Sequence, residues 1–260
     1  MTRRRWIADT WSPRSGHPTH AALTGEQAEH LARVLRAQPG QIFDVVASGF
    51  VHRAEVTSVS ESEVVFTLHE ELEADAALPI HLLLAIFKFD HFEWAIEKAT
   101  ELGVARITPI LARRTEKHLT LAASKRAERW RRIALEAAKQ SRRTDVPEIA
   151  EPVTLVAALT RETAALRILL SETEQTVTLA EALNPKGRPT GYEPVAISLA
   201  IGPEGGWTLE EMVIFSQHNW THVTLGPRIL RAETAAIAAI AIAAALLSTG
   251  DEQLSKQQPS

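Results

Sequence analysis

Two short segments rich in glycine and proline are the part of this chain best suited to hold a ligand. Residues 202–206 read GPEGG, and residues 225–235 read LGPRILRAETA. Each follows a run typical of a buried strand and precedes a run typical of a helix. Glycine lets the backbone approach a ligand closely, while proline restricts the shape of the loop. Open α/β sheets bind ligands at the carboxyl ends of their strands, so the two loops together indicate one pocket, although either alone is equally typical of an ordinary turn.

The second segment adds charged side chains to this candidate pocket. Arg228 and Arg231 carry guanidinium groups that can recognise a carboxylate or a phosphate. Glu233 and Thr234 have a simpler interpretation as caps of the next helix. Neither segment has a GxGxxG pattern or a phosphate loop that ends in Gly-Lys-Ser, so a dinucleotide or a nucleoside triphosphate gains no support.

The composition excludes several kinds of chemistry. The chain has no cysteine, which removes disulfides, thiolate metal sites and cysteine nucleophiles. His218 and His222 stand four residues apart without a third ligand type nearby, so we predict no metal site. The sequence contains neither a long apolar run nor a secretory signal, and we expect a cytoplasmic protein that does not enter a membrane.

Charge is unevenly distributed along the chain. The formal net charge is −4, which argues against a uniformly basic nucleic-acid binder. Residues 124–143, however, contain eight lysines or arginines and two glutamates. A locally basic face suits a polyanion such as RNA, because phosphate contacts are local and electrostatic. A solvated helix face accounts for this run equally well.

The pattern of elements changes near residue 75. Residues 41–68 alternate in the manner of three short strands, which predicts a small β-barrel or sandwich. We expect a linker over residues 70–79 and an α/β pattern after it, with a mostly parallel sheet covered on both faces. The predicted strands are 80–87, 105–111, 165–170, 194–201 and 222–226, and the predicted helices are 90–103, 124–143 and 232–248.

Capping residues mark several of these helix ends. Asp90 with Glu93 predicts a capped start for the first helix, and Gly103 predicts its end. Thr208 and Glu211 predict a capping box for the helix that follows the GPEGG segment.

These motifs resemble a known family. GPEGG followed by LGPRILRAETA is similar to the RsmE family, bacterial 16S rRNA uridine N3-methyltransferases of the SPOUT superfamily, and residues 30–41, 92–111 and 136–149 match its other signatures. The resemblance implies an α/β chain with an N-terminal PUA-like β-barrel at residues 1–73. It implies a SPOUT α/β domain with a C-terminal trefoil knot at residues 77–250, and a flexible tail at 251–260. It further implies S-adenosyl-L-methionine (SAM) as methyl donor, a homodimer, and 16S rRNA of the small ribosomal subunit as partner.

The resemblance also assigns site residues by position. Arg231, Arg114 and Glu233 take catalytic positions. Contacts to SAM fall on Leu170, Ser171, Glu172, Ile201, Gly202, Pro203, Glu204, Gly205, Gly206, Leu225, Gly226, Ile229 and Leu230. Positions that face RNA fall on Arg5, Arg33, Arg36, Lys88, Gln140 and Arg143.

The sequence departs from the family pattern beside these positions. KFDHFEW at 88–94 replaces the common KGDRMEW, so that Phe89 and His91 stand where glycine and arginine are usual. Arg113 stands where an acidic residue is frequent. These changes leave the glycine loops intact but leave the mode of RNA docking open.

The expected reaction is a direct displacement by uracil N3 on the methyl group of SAM. Carbon-5 methylation of a pyrimidine generally needs a cysteine nucleophile, which this chain lacks, whereas N3 methylation needs only alignment and charge control. Arg231 is the first candidate to stabilise the charge that develops on the uracil, and Arg114 is the second. No general base stands out, since Glu204 and Glu233 are the loop carboxylates and solvent can suffice. Two alternatives remain: a non-catalytic RNA-binding or ribosome-assembly module, and a SPOUT methyltransferase that acts on another RNA.

Overall fold

The chain divides into two structural units. The structure is a computed structural model, and it describes residues 5–13, 16–72, 77–141, 143–183 and 195–255, with the backbone alone over 248–255. The first unit comprises residues 1–76 and 138–145, and the second comprises residues 77–137 and 146–260.

The first unit is built on a six-stranded, mainly antiparallel sheet in which β1 and β4 pair in parallel. Alternate residues of β6, among them Val64 and Phe66, are fully buried, as the period of a strand with one covered face requires. A short helix α1 and a π-helical turn at His30–Val34 lie between β3 and β4. In sheet order the strands are β1 (Arg5–Ile7), β4 (Ile42–Ala47), β5 (Phe50–Val59), β6 (Glu63–Leu72), β3 (His20–Thr24) and β2 (Thr10–Ser12), and α1 spans Gly25–Glu29.

The three strands predicted within residues 41–68 are confirmed, but the predicted linker was too long. Strand β6 continues to Leu72 and the next strand begins at Leu78, so both ends of residues 70–79 belong to strands. Residues 73–76 lie outside the described residues.

The second unit contains a parallel sheet. Every described pairing in it is parallel, with β9 added beside β8. All five residues of the ISLAI strand β12 are buried, as expected where helices cover both faces of a sheet. In sheet order the strands are β10 (Val153–Thr154), β8 (Val104–Leu111), β7 (Leu78–Ala85), β12 (Ile197–Ile201), β11 (Leu166–Leu170) and β13 (Thr221–Val223), and β9 spans Glu148–Ile149.

Helices pack on both faces of this sheet. Leu82 and Leu84 of β7 belong to one buried cluster with residues of α2, α3 and α7, while the intervening Leu83 belongs to a second cluster with α4 and α6. In the ranges that the structure describes, no helix is both long enough and apolar enough to span a membrane. The helices are α2 (Phe89–Glu101), α3 (Lys117–Ser141), α4 (Leu155–Arg161), α5 (Leu179–Leu183), α6 (Leu209–Gln217) and α7 (Ala232–Ser255).

Several predicted helix boundaries change. Helix α3 begins at Lys117 rather than Ser124, and α7 runs to Ser255 rather than Ser248, with residues 256–260 outside the described residues. The predicted capping of α2 is wrong, because Lys88 occupies the N-cap without a side-chain hydrogen bond. Glu93 instead accepts hydrogen bonds from Arg126 and Arg129 of α3.

Two predicted caps are confirmed. Gly103 follows α2 with φ +96°, a left-handed conformation that favours glycine. Thr208 and Glu211 form the capping box at the start of α6.

Candidate active site

Three loops of the second unit meet at one edge of its sheet. Strand β11 lies between β12 and β13, and all three run in the same direction. Leu170 at the end of β11 pairs with Val223 of β13, and the backbone N–H of Ser171 donates to Val223 O at 3.0 Å. The three segments to which the sequence assigned SAM contacts therefore begin side by side, although they are far apart in the chain.

The glycine loop after β12 is shaped by its glycines and by a tryptophan. A Cβ at Gly202 would lie 3.1 Å from Nε1 of the buried Trp207, so this position admits only glycine without rearrangement. Gly206 has φ +70°, and its N–H donates to Pro203 O at 2.8 Å to close the turn. Pro203 is buried, whereas Glu204 and Gly205 are exposed at the tip.

An arginine from the loop after β8 covers the tip of this loop. Arg114 follows β8, and its guanidinium donates a hydrogen bond to Gly205 O. A Cβ at Gly205 would lie 3.3 Å from Arg114 Cδ, so the arginine chain packs directly along the glycine. The structure thus joins one expected catalytic residue to the expected SAM loop.

Glu211 connects the start of α6 to the segment that carries Arg114. Its Oε2 accepts from the Thr208 N–H at 2.8 Å, which completes the capping box, and its Oε1 accepts from the Arg113 N–H at 2.8 Å. The side chain is almost fully buried. One carboxylate therefore links the start of α6 to the segment that carries Arg114, and the sequence indicated only the first half of that role.

The loop after β11 is organised by Glu174. Its Oε1 accepts hydrogen bonds from the Thr176 hydroxyl and from the backbone N–H groups of Thr176 and Val177. These donors, the Thr176 hydroxyl above all, lower the pKa of Glu174 to about 2. Ser171 and Glu172 precede this turn, with Ser171 partly buried and Glu172 exposed.

The loop after β13 leaves an apolar surface. Gly226 has φ +111°, and within the described part of the chain no heavy atom beyond its immediate chain neighbours lies within 4 Å of the position that its Cβ would occupy. Ile229 is 82% exposed, while Leu225 and Leu230 are partly buried. This loop offers apolar side chains and open space beside the ends of the neighbouring strands.

A groove lies where this loop enters α7. Its volume is about 440 Å³, and its lining comes from α2 and from the start of α7: Asp90, His91, Trp94, Arg231, Glu233 and Thr234. His91 Nδ1 lies 2.9 Å from Oε1 of the buried Glu233, and His91 Nε2 lies 3.7 Å from Asp90 Oδ2. Arg231 is exposed, and Arg114 is not among the lining residues. We refer to this feature as the α2–α7 groove.

The sequence showed His91 as a departure from a familiar pattern but gave no sign of its partner. His91 and Glu233 are separated by 142 positions in the chain. Only the packing of α2 against α7 brings them together.

The residues expected to face RNA have different surroundings. Arg36, Gln140 and Lys88 are exposed, and Arg5 is partly buried. Arg33 is exposed but forms ion pairs with Glu29 and Glu61. The side chain of Arg143 is only 8% exposed and pairs with Asp145, an arrangement suited to holding the backbone after α3.

The basic run at 124–143 is largely neutralised by acidic partners. Arg126, Arg129, Arg131, Lys139 and Arg143 all form ion pairs with aspartate or glutamate. Arg142 lies outside the described residues. The arrangement favours the interpretation of this run as an ion-paired helix surface rather than as a free basic face.

A second buried polar cluster lies away from the loops. His81 Nδ1 lies 2.5 Å from Glu162 Oε2, and His81 Nε2 lies 2.8 Å from the Thr108 hydroxyl. Burial acts to raise the pKa of Glu162, but the interaction with His81 and the hydrogen bond from the Ala164 N–H outweigh it and lower that pKa to about 2.

Comparisons with known proteins decide the family. An RNA methyltransferase domain matches residues 74–244, and an RNA methyltransferase PUA domain matches residues 23–68. Ribosomal RNA small subunit methyltransferase E of Bacillus subtilis is 33% identical over 231 residues, which cover 84% of this chain and 87% of that protein. This chain belongs to the ribosomal RNA small subunit methyltransferase E family.

Further similar proteins agree with this assignment. The Synechocystis protein of the same name is 35% identical over 87% of this chain and 73% of its own length. A methyltransferase of Legionella pneumophila, solved with bound SAM, has a TM-score of 0.73 and 29% identity, with 94% of this chain and 98% of that chain covered. The Neisseria gonorrhoeae methyltransferase E, also solved with SAM, has a TM-score of 0.72 and 28% identity, with 92% and 96% covered.

Family membership confirms the predicted fold class and the general activity. The chain is an RNA methyltransferase with a PUA-type N-terminal region and an α/β methyltransferase region. The trefoil knot stays a prediction.

Proposed function

We propose that this chain transfers a methyl group from SAM to N3 of one uridine in the 16S rRNA of the small ribosomal subunit. The observation that carries the proposal is the meeting of three loops at the carboxyl ends of β11, β12 and β13. Relatives named for methylation of small-subunit rRNA, and similar structures that hold SAM, support the choice of substrate and donor.

The residues at this edge fit SAM. Gly205 and Gly226 offer backbone without a side chain, with open space at Gly226. Leu225, Ile229 and Leu230 supply apolar surface for an adenine ring. When bound, SAM supplies a methyl group already activated by its sulfonium. We assign its contacts to Leu170, Ser171, Glu172, Ile201, Gly202, Pro203, Glu204, Gly205, Gly206, Leu225, Gly226, Ile229 and Leu230.

The remaining chemistry is charge control at the uracil. Loss of the N3 proton to solvent places negative charge over O2, N3 and O4, and the exposed guanidinium of Arg231 can stabilise it while N3 attacks the methyl group and the sulfonium sulfur of SAM leaves as a thioether. Arg114 is the second candidate, because it is already fixed at the tip of the glycine loop. Glu233 binds His91 and so holds the first turn of α7, next to Arg231. N3 is blocked in a base pair, so the target must be unpaired or flipped out.

The proposal extends to partners and organisation. In the first unit, which holds the family's PUA match, we assign RNA contacts to Arg5, Arg33, Arg36 and Gln140, while the largely buried side chain of Arg143 pairs with Asp145 and supports the chain after α3. Lys88 of the second unit is a separate candidate for an RNA contact. We propose the domain limits 1–73 and 77–250 and a homodimer as the working form. An enzyme that modifies ribosomal RNA works in the cytoplasm.

Nucleoside mass spectrometry tests the proposal. Purified chain and SAM are incubated with small ribosomal subunits that lack the modification, and 3-methyluridine is expected in the 16S rRNA. Arg231→Ala should lower turnover far more than SAM affinity measured by calorimetry. Absence of 3-methyluridine despite bound SAM would contradict the proposal and favour a non-catalytic module, and methylation of another nucleoside would point to another RNA.

A further inference from the structure

We propose that the α2–α7 groove receives the target base, with Trp94 as its stacking face and the His91–Glu233 pair as the support of its polar wall. The inference rests on the proposed function, and it assigns a place for the base that the SAM loops do not supply. The groove directly adjoins the third loop, because Arg231 in its lining follows Leu230 in the chain.

Trp94 is placed for a ligand rather than for the core. Its neighbours on α2, Phe92, Ala95 and Ile96, are fully buried, whereas Trp94 is 45% exposed and lines the groove. Unpaired RNA bases stack on aromatic side chains of this kind. An indole face does not suit a phosphate group, so the groove favours the flat base over the RNA backbone.

The polar side of the groove complements the edge of uracil. Arg231 presents a guanidinium that can donate to the O2 or O4 carbonyl. The groove has a volume of about 440 Å³, which is large enough for a pyrimidine ring. Its other charged groups are Asp90 on α2 and Glu233 on α7, and Lys88 precedes α2.

His91 acts as a positioning residue for this wall. Glu233 is buried, and its Oε1 lies 2.9 Å from His91 Nδ1. Removal of the His91 side chain would leave this carboxylate oxygen without that partner. The contact ties the first turn of α7, and hence the adjacent Arg231, to α2. A guanidinium at this position can donate to Glu233 as well, so His91→Arg should keep the arrangement and His91→Ala should lose it.

The kinetic test compares substitutions at these two residues. Trp94→Ala should raise the KM for small subunits about 5- to 150-fold, as expected for the loss of one stacking contact. Trp94→Phe should retain most of the affinity, and Leu121→Ala, at an exposed position on α3, should have no effect. His91→Ala should lower kcat while SAM affinity changes little, and it should lower the melting temperature because the buried Glu233 loses a partner. His91→Arg should restore both kcat and the melting temperature. Unchanged kinetics in Trp94→Ala, or equal loss in His91→Ala and His91→Arg, would overturn the inference.

A binding measurement that needs no turnover separates this inference from the proposed function. The chain is labelled with 5-fluorotryptophan, the Trp94 resonance is identified by its absence in Trp94→Phe, and uridine 5′-monophosphate is added. A shift of the Trp94 resonance with no shift for a buried tryptophan such as Trp130 supports the groove, even if no 3-methyluridine is ever formed. A Trp94 resonance that responds to chain concentration and not to the nucleotide would overturn the inference, because a second copy would then occupy the groove.

Discussion

At the scale of single residues, the glycines of the GPEGG loop have different reasons to be glycine. Gly202 faces the buried indole of Trp207, whereas Gly205 faces the exposed chain of Arg114. A side chain at residue 202 would disturb the packing of Trp207, whereas a side chain at residue 205 would disturb Arg114 at the proposed SAM site.

These two positions give a matched pair of substitutions. Gly202→Ala should lower the free energy of unfolding by about 1–3 kcal/mol, because its methyl group would crowd the buried ring of Trp207 at 3.1 Å. Gly205→Ala should change that free energy by less than about 0.5 kcal/mol but weaken SAM binding. Chemical denaturation and calorimetry measure the two effects, and equal stability of both variants would contradict the prediction.

The buried Glu162 predicts a dependence of stability on pH. Its pKa is about 2 in the folded chain, below the ordinary value of 4.5. A lowered pKa stabilises the fold fully above the unfolded value, so this contribution of up to about 3 kcal/mol is present above about pH 5 and is lost as the pH falls toward 2.

Denaturation at several pH values checks this expectation. The wild-type chain should lose stability between about pH 5 and pH 2 more steeply than Glu162→Gln, which has no carboxylate to protonate. Parallel curves for the two chains would show that the charge of Glu162 does not stabilise the fold.

The sequence predicts the role of some of these residues and not of others, because only some roles depend on neighbours along the chain. The glycine loops are local patterns, and Gly202, Gly206 and Gly226 can be predicted from their neighbours along the chain. The pairing of His91 with Glu233 depends on how α2 packs on α7, and no local pattern reports it.

At the scale of elements, Glu211 is the residue on which two segments depend. It accepts hydrogen bonds from the N–H groups of Thr208 and Arg113 while almost fully buried. Its removal leaves both donors without an acceptor, which is costly in a buried site.

Substitution of two adjacent glutamates tests this role. Glu211→Ala should lower the free energy of unfolding by about 2 kcal/mol and weaken SAM binding, because the Arg113–Arg114 segment loses its anchor. Glu210→Ala, at an exposed position one residue away, should remain within about 0.5 kcal/mol of the wild type. Similar losses in both variants would argue for a general effect at the start of α6 instead.

Element prediction succeeded where side chains carry a strong period or a long apolar run. Strands β7 and β12 are buried on both faces and are recognisable as such in the sequence. The three-residue β13 and the early start of α3 at Lys117 are set by pairing and packing, so the sequence misplaced their limits.

At the scale of the whole molecule, two strongly exposed apolar side chains lie in or next to the proposed SAM loops. Leu209 is 83% exposed directly after the glycine loop, and Ile229 is comparably exposed in the third loop. We take these two side chains as candidate contacts of the proposed homodimer.

The proposed homodimer can be tested on this basis. Light scattering should give twice the mass of one chain, and Leu209→Asp with Ile229→Asp should weaken dimer formation at least tenfold, because each places a charge in an apolar contact. Leu121→Asp, at an exposed position on α3, should leave the mass unchanged. A wild-type mass of one chain would contradict the homodimer.

The distribution of charge is the feature of the whole molecule that the sequence conveyed least well. The run at 124–143 is compatible with a free basic face in sequence, but five of its basic side chains have acidic partners in space. Three of those partners, Glu93, Glu151 and Asp9, lie outside the run and apart from it in the chain, so counting charges along the sequence could not reveal their pairing.

The position of β13 has a consequence for local opening. This strand has three residues and pairs with β11, and on its other side the described residues supply a bridge between Thr178 and Thr224. Short, lightly paired segments open first in hydrogen exchange. A ligand that contacts the loops after β11, β12 and β13 together would bind only the closed form, and its binding energy would slow the exchange of the β13 amide protons selectively. The last strand of the sheet would then report donor occupancy through its exchange rate, without any change in its structure.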